Sequence, residues 1–125
     1  MYAISVKHDF KAYHYLIGGD YGAENTKHAH HYTVEIELHG SQLNHQGYLV
    51  DIVKVERIIH SLINRYKQRT LNELQEFTGL NPSIENFSRI LCRQFISELH
   101  AKNIELVTVR ICENEIACAT YKQEM

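Results

Sequence analysis

The stretch Lys-His-Ala-His-His-Tyr, residues 27–32, sets two imidazoles, His28 and His30, two residues apart. In an extended chain alternate side chains share a face, so these rings project together and can share one ion. Their parity is that of Tyr32, Val34, Ile36 and Leu38, the apolar face, while His31 points the other way. Imidazoles on an apolar face need partners or carry a desolvation cost. A zinc ion satisfies both at once. A third imidazole, His14, closes the segment Phe-Lys-Ala-Tyr-His at 10–14. If the first two strands form a hairpin, His14 comes opposite the start of the second. Three imidazoles leave the fourth tetrahedral position free, which is the pattern of catalytic rather than structural zinc. By spacing alone, the His-x-His pair also fits a polar patch, and His14 an ordinary loop histidine.

The elements that must hold these rings are legible from periodicity. Residues 2–10 alternate, with Tyr2, Ile4 and Val6 against Ser5 and Lys7, and read as a strand. Residues 15–27 carry Gly18, Gly19, Asp20, Gly22 and Asn25 and read as a long loop. Residues 28–38 alternate again and form the clearest strand. After a turn through His-Gly-Ser-Gln-Leu-Asn-His-Gln-Gly, residues 51–67 take helical spacing through Ile52, Val55, Ile59, Leu62 and Tyr66, with Asp51 as N-cap. A segment to Leu80 leads to a second helix, capped by Ser83 and buried through Ile84, Phe87, Leu91 and Phe95. Strands are expected over 104–112 and 117–121. The order β-β-α-α-β-β implies an α+β fold, an antiparallel sheet with both helices on one face. Four strands leave two edges, and edge pairing between subunits makes a homo-oligomer the expected state.

At 125 residues, 44% hydrophobic and 22% charged, the chain suits one domain over 1–125 with one core. A net charge of −2 with scattered basic residues argues against a nucleic-acid partner or a membrane surface. No apolar run approaches the roughly 20 residues that span a bilayer. The alternating N-terminus is unlike a signal peptide, so a cytoplasmic protein is expected. Cys92, Cys112 and Cys118 make an odd count and are expected as three small buried hydrophobes.

Several separated pieces together resemble the 6-pyruvoyl-tetrahydropterin synthase and 6-carboxytetrahydropterin synthase family. Phe10–His14 resembles its Phe-x-Ala-x-His element, His28–Tyr32 its His-Gly-His-Asn-Tyr, and Gly47–Ile52 its Gly-Met-Val-Val-Asp-Phe. Leu71–Asn72, Pro82–Asn86, and Cys112–Glu113 with Tyr121 beyond follow in the family's order. The resemblance implies the T-fold, and oligomers that bind pterins at subunit contacts. It implies zinc on His14, His28 and His30. The implied chemistry works on the three-carbon side chain of 7,8-dihydroneopterin triphosphate. Glu113 matches the glutamate that grips the pterin's amino and ring N–H edge, Glu85 a second pterin contact, and Ser83 a threonine whose hydroxyl it keeps.

The sequence also departs from that pattern. Glu24 stands where the family carries its basic cysteine, and Tyr66, Lys67 and Gln68 stand where it has Leu-Asp-His. Members with glutamate at the first position are associated with forming 6-hydroxymethyl-7,8-dihydropterin. Two main readings follow. One is a zinc-dependent lyase in which Glu24 serves as the base. The other is a pterin- or purine-binding module that keeps zinc but has lost chemistry. A zinc enzyme for another substrate ranks third.

Overall fold

The computed structural model describes residues 1–125. Its elements are β1 (Tyr2–His14), β2 (His28–Gly40), α1 (Ile52–Tyr66), α2 (Ile84–Glu98), β3 (Leu106–Glu113) and β4 (Ala117–Glu124). Short 3₁₀ turns lie at Gly22–Asn25, Leu71–Glu73 and Gln75–Phe77. The strands pair antiparallel in the order β1-β2-β3-β4, so β1 and β4 are the edges. The β-β-α-α-β-β order and the antiparallel sheet agree with the sequence expectation.

β1 and β2 each run longer than periodicity indicated, because their pairing is unbroken from Tyr2↔Gly40 to His14↔His28. A ladder bond does not require apolar alternation, so Lys11–His14 and His39–Gly40 extend the strands past the pattern. β3 starts two residues later than the expected 104, and β4 runs on to Glu124. Gly40 ends β2 where the backbone of Asn103 comes against it. A Cβ there would lie 2.1 Å from the Asn103 carbonyl oxygen, so only glycine fits.

One sheet face is apolar and carries both helices. Tyr32, Val34, Ile36 and Leu38 of β2 and Val107, Val109 and Ile111 of β3 are buried on it. Against them α1 buries Val55, Ile58, Ile59, Leu62, Ile63 and Tyr66. Ile52, expected on that stripe, is instead 42% exposed, because it occupies the first helical position beyond the cap. α2 buries Ile84, Phe87, Leu91 and Phe95 as expected. Both caps hold: Asp51 accepts from the Val53 N–H at 3.0 Å and Ser83 from the Asn86 N–H at 3.0 Å. Phe87 is the hub under the sheet, with Phe10, Tyr32, Tyr66 and Phe77 packed around its ring at 5.0–6.0 Å between centroids.

The cysteine expectation is corrected. Only Cys92 is a free buried thiol, and burial pushes it up to about 11. Cys112 and Cys118 are joined in a disulfide. The β3–β4 register sets these two directly opposite each other, which an odd count of cysteines does not reveal. In a reducing compartment the same pair would stand as facing thiols.

The last turn of α1 is tied down by a carboxylate. Glu76 receives Arg65 Nε and Nη2, both at 2.6 Å, and the Tyr66 hydroxyl lies 2.8 Å away. The guanidinium hydrogen bonds hold the Glu76 carboxyl down to about 2. A depressed carboxyl stabilises the fold above its ordinary range near 4.5, and that contribution is lost as pH falls toward 2. Glu76→Gln is therefore expected to lower stability by about 1–2 kcal/mol at pH 7. In urea unfolding, the gap between variant and wild type should shrink below pH 3; a pH-independent gap would show that charge is not its origin. No helix of the chain is long and apolar enough to cross a membrane.

Candidate metal and pterin site

The β1–β2 ladder ends at His14↔His28, and that end carries the site. His14, His28 and His30 come together with ring centroids 4.5–4.7 Å apart. Glu24, from the 3₁₀ turn before β2, joins them: one donor atom from each of the four lies within 4.8 Å of the others. His14 is the buried member, while His28 and His30 are half-buried rather than enclosed in the core. Burial lowers the His14 imidazole to about 4, helped by the neighbouring His30 and His28 rings. It is neutral at pH 7 and has no proton to lose to a cation.

Each ring is oriented from behind. His14 Nδ1 lies 3.2 Å from the Pro82 carbonyl oxygen and 3.0 Å from the Tyr32 hydroxyl. His28 Nδ1 donates to the Thr26 carbonyl at 2.7 Å, which leaves a bare lone pair on Nε2. Asn114, in the β3–β4 turn, accepts from the His31 N–H at 3.0 Å and sets its Nδ2 2.9 Å from His30 Nδ1. In that orientation the His30 proton sits on Nε2. Turning the amide over, at the loss of the His31 N–H bond, would put its oxygen on Nδ1 and free Nε2 for a cation.

The donors fit a zinc ion on an observation independent of any relative. The Nε2 atoms of His28 and His30 are buried and have no hydrogen-bond partner. Glu24 Oε2 stands 2.8 Å from His28 Nε2, within ion-pair distance but without the alignment of a hydrogen bond. Orphaned buried nitrogens are rare unless something fills the space between them.

Glu113, the last residue of β3, pairs in register with Tyr32 and is half-buried beside the cluster. Burial raises its carboxyl; His30 and His28 oppose that, while Glu24 and Glu85 add to it. Glu85 and Ser83 sit at the start of α2, directly after the Pro82 that braces His14. Ser83 spends its acceptor on the helix cap but keeps a proton to donate. Glu85 is exposed. Lys67 and Gln68 are exposed at the exit of α1; Gln68 takes a left-handed backbone (φ 62°) and donates its N–H to the Lys11 carbonyl at 2.7 Å. Asn72 holds both backbone groups of Tyr15, at 3.0 and 2.9 Å, and so fixes the chain just after His14.

Sequence reasoning missed Asn114, Tyr32 and the Thr26 and Pro82 carbonyls as supports of the imidazoles. An asparagine in a tight turn was the one available signal. A concavity of about 460 Å³, lined by Asn44, Gln46, Tyr48, Val50, Asp51, Ile52 and Val53, shares no residue with the cluster.

An in-order antiparallel sheet of four strands, two helices on one face and this histidine cluster define a T-fold protein of the pterin-synthase type. The chain belongs to the 6-pyruvoyl tetrahydropterin synthase family, whose model matches residues 3–124. It is 31% identical over 88 residues to a protein of Archaeoglobus fulgidus assigned, provisionally, as a 6-carboxy-5,6,7,8-tetrahydropterin synthase. That match covers 70% of this chain and 69% of the relative. Its fold is similar to that of Caenorhabditis elegans 6-pyruvoyl tetrahydropterin synthase, with TM-score 0.83, 20% identity, and 98% and 96% of the two chains covered. It is equally similar to Plasmodium vivax 6-pyruvoyltetrahydropterin synthase, solved with a catalytic glutamate replaced by alanine. There the TM-score is 0.83 at 15% identity, covering 99% and 98%.

Proposed function

We propose that the chain is a zinc-dependent lyase acting on the side chain of 7,8-dihydroneopterin triphosphate or a related dihydropterin. The convergence of three imidazoles and a carboxylate, with two imidazole nitrogens orphaned, carries this reading. His14, His28 and His30 would hold the zinc, which supplies Lewis acidity toward the substrate's side-chain oxygens when bound. Glu24 is the base for the side-chain proton. Glu113 accepts from the pterin's amino group and ring N–H through two parallel hydrogen bonds. Glu85 and Ser83 make further contacts from the head of α2.

The assignment of the A. fulgidus relative supports a product of the 6-carboxytetrahydropterin type. That the P. vivax protein has a catalytic glutamate accords with Glu24 in place of cysteine. A homo-oligomer with sites at subunit contacts accords with the open sheet edges, β4 and the part of β1 before Lys11, beyond which residues 68–70 bond to it. Tyr48, Ile52 and Val53, exposed around the concavity at the head of α1, accord with it too.

Incubating zinc-loaded protein with 7,8-dihydroneopterin triphosphate, followed by mass spectrometry, tests the proposal. A dihydropterin product with an altered side chain is expected. The exposed Lys67 and Gln68, which offer no Asp-His relay, favour a second reading: an inactive pterin- or purine-binding module that retains zinc. Tight binding without product would establish that reading, and absence of binding would sink both.

A further inference from the structure

We propose that Glu24 is a displaceable fourth ligand of the metal, closing the coordination sphere at rest and withdrawing when a pterin enters. This rests on the reading that the histidine cluster holds zinc.

Two observations carry it. The first is geometric. His28 Nδ1 gives its proton to the Thr26 carbonyl and holds the ring with Nε2 toward the cluster. The Glu24 carboxylate oxygen stands 2.8 Å from that nitrogen without a hydrogen bond between them, so it lies off the direction in which Nε2 points. Two ligands of one ion lie side by side in this way, each aimed at the metal and not at the other. Glu24 also belongs, with His14 and His30, to the one set of donor atoms that converges within 4.8 Å. Three imidazoles and one carboxylate make a complete tetrahedral set for zinc.

The second observation is the difference in how the four side chains are held. Each imidazole has its other nitrogen engaged: His14 by Pro82 and Tyr32, His28 by Thr26, His30 by Asn114. The Glu24 carboxylate makes no hydrogen bond to the protein, and its side chain is 54% exposed. Its backbone, in contrast, is pinned. The Glu24 carbonyl accepts from the Leu16 N–H at 2.8 Å. The adjacent Asn25 side chain accepts from the Tyr21 N–H at 2.6 Å and donates to the Leu16 and Gly19 carbonyls at 3.1 and 3.0 Å. A fixed Cα with a free, solvated arm lets the carboxylate leave by side-chain rotation alone, with water replacing its contacts. Three locked ligands and one loose one define which position a substrate opens.

The test reads the metal without turnover. Zinc affinity is measured by chelator competition, and cobalt(II) is substituted for its visible absorption, in wild type and Glu24→Gln. Thermal melts of both metal-free proteins check that the variant folds. Glu24→Gln is expected to weaken zinc binding about 10- to 100-fold and to change the cobalt band. Adding 7,8-dihydroneopterin to cobalt-loaded wild type is expected to move its band toward that of the variant. Unchanged affinity and an unchanged band in Glu24→Gln would overturn ligation. A changed variant band with no response of wild type to the pterin would overturn displacement. If wild type itself takes up neither zinc nor cobalt, the metal reading falls, an outcome distinct from either.

Discussion

His28→Ala is expected to weaken zinc binding about 100- to 1000-fold and to take turnover below detection. Structural zinc sites bind with about 10–16 kcal/mol shared among four ligands, so one ligand accounts for roughly 2.5–4 kcal/mol. His28 is the informative choice among the three imidazoles. His14 is buried against Pro82 and Tyr32, so truncating it also opens a hole beside the aromatic hub. His28 starts β2 and is only half-buried, and its ring is oriented by a carbonyl two residues away on its own loop. Its loss should leave the melting temperature of the metal-free protein nearly unchanged. Chelator competition and metal analysis after dialysis measure the effect. A His28→Ala protein that still carries one tightly bound zinc would place the metal elsewhere and remove the basis of the proposed chemistry.

How much of this was readable beforehand follows from what each residue depends on. Strand alternation put His28 and His30 on one face, and the hairpin brought His14 opposite, because register transmits parity across a ladder. The first helix boundary and both caps were equally local properties, readable from Asp51, Ser83 and the apolar stripes. The Cys112–Cys118 bond and the placement of Asn114 were not local. They depend on the β3–β4 turn, whose left-handed residues Asn114 and Glu115 (φ 49° and 62°) set the pairing that faces the two sulfurs. No periodicity encodes that register. Glu24 illustrates a third case. Its sequence position gave it a role only through a resemblance, and its approach to His28 depends on the Asn25 side chain folding the loop back on itself. Lys67 and Gln68 were legible as departures, and both are exposed at the exit of α1.

Glu113→Gln is expected to weaken pterin binding about 100- to 1000-fold while leaving zinc affinity unchanged. The amino group and ring N–H of a pterin form a two-donor edge, and a carboxylate meets it with two acceptors. Glutamine turns one acceptor into a donor, so one hydrogen bond is lost and a buried donor faces another donor. A site built for a particular hydrogen-bond pattern discriminates steeply against its loss. Stability gives the opposite sign. Burial, with Glu24 and Glu85 nearby, raises the Glu113 carboxyl. A raised carboxyl favours the folded state below the ordinary carboxylate range, and that advantage is lost as pH rises through the raised value. Above the raised value the carboxylate therefore costs folding free energy, and there Glu113→Gln should unfold at a higher urea concentration than wild type. A residue that weakens the fold in the empty protein and is repaired by a two-donor ligand behaves as a binding group. If Glu113→Gln gains stability yet binds 7,8-dihydroneopterin as wild type does, by fluorescence titration, Glu113 is a strand-end carboxylate and the pterin grip lies elsewhere.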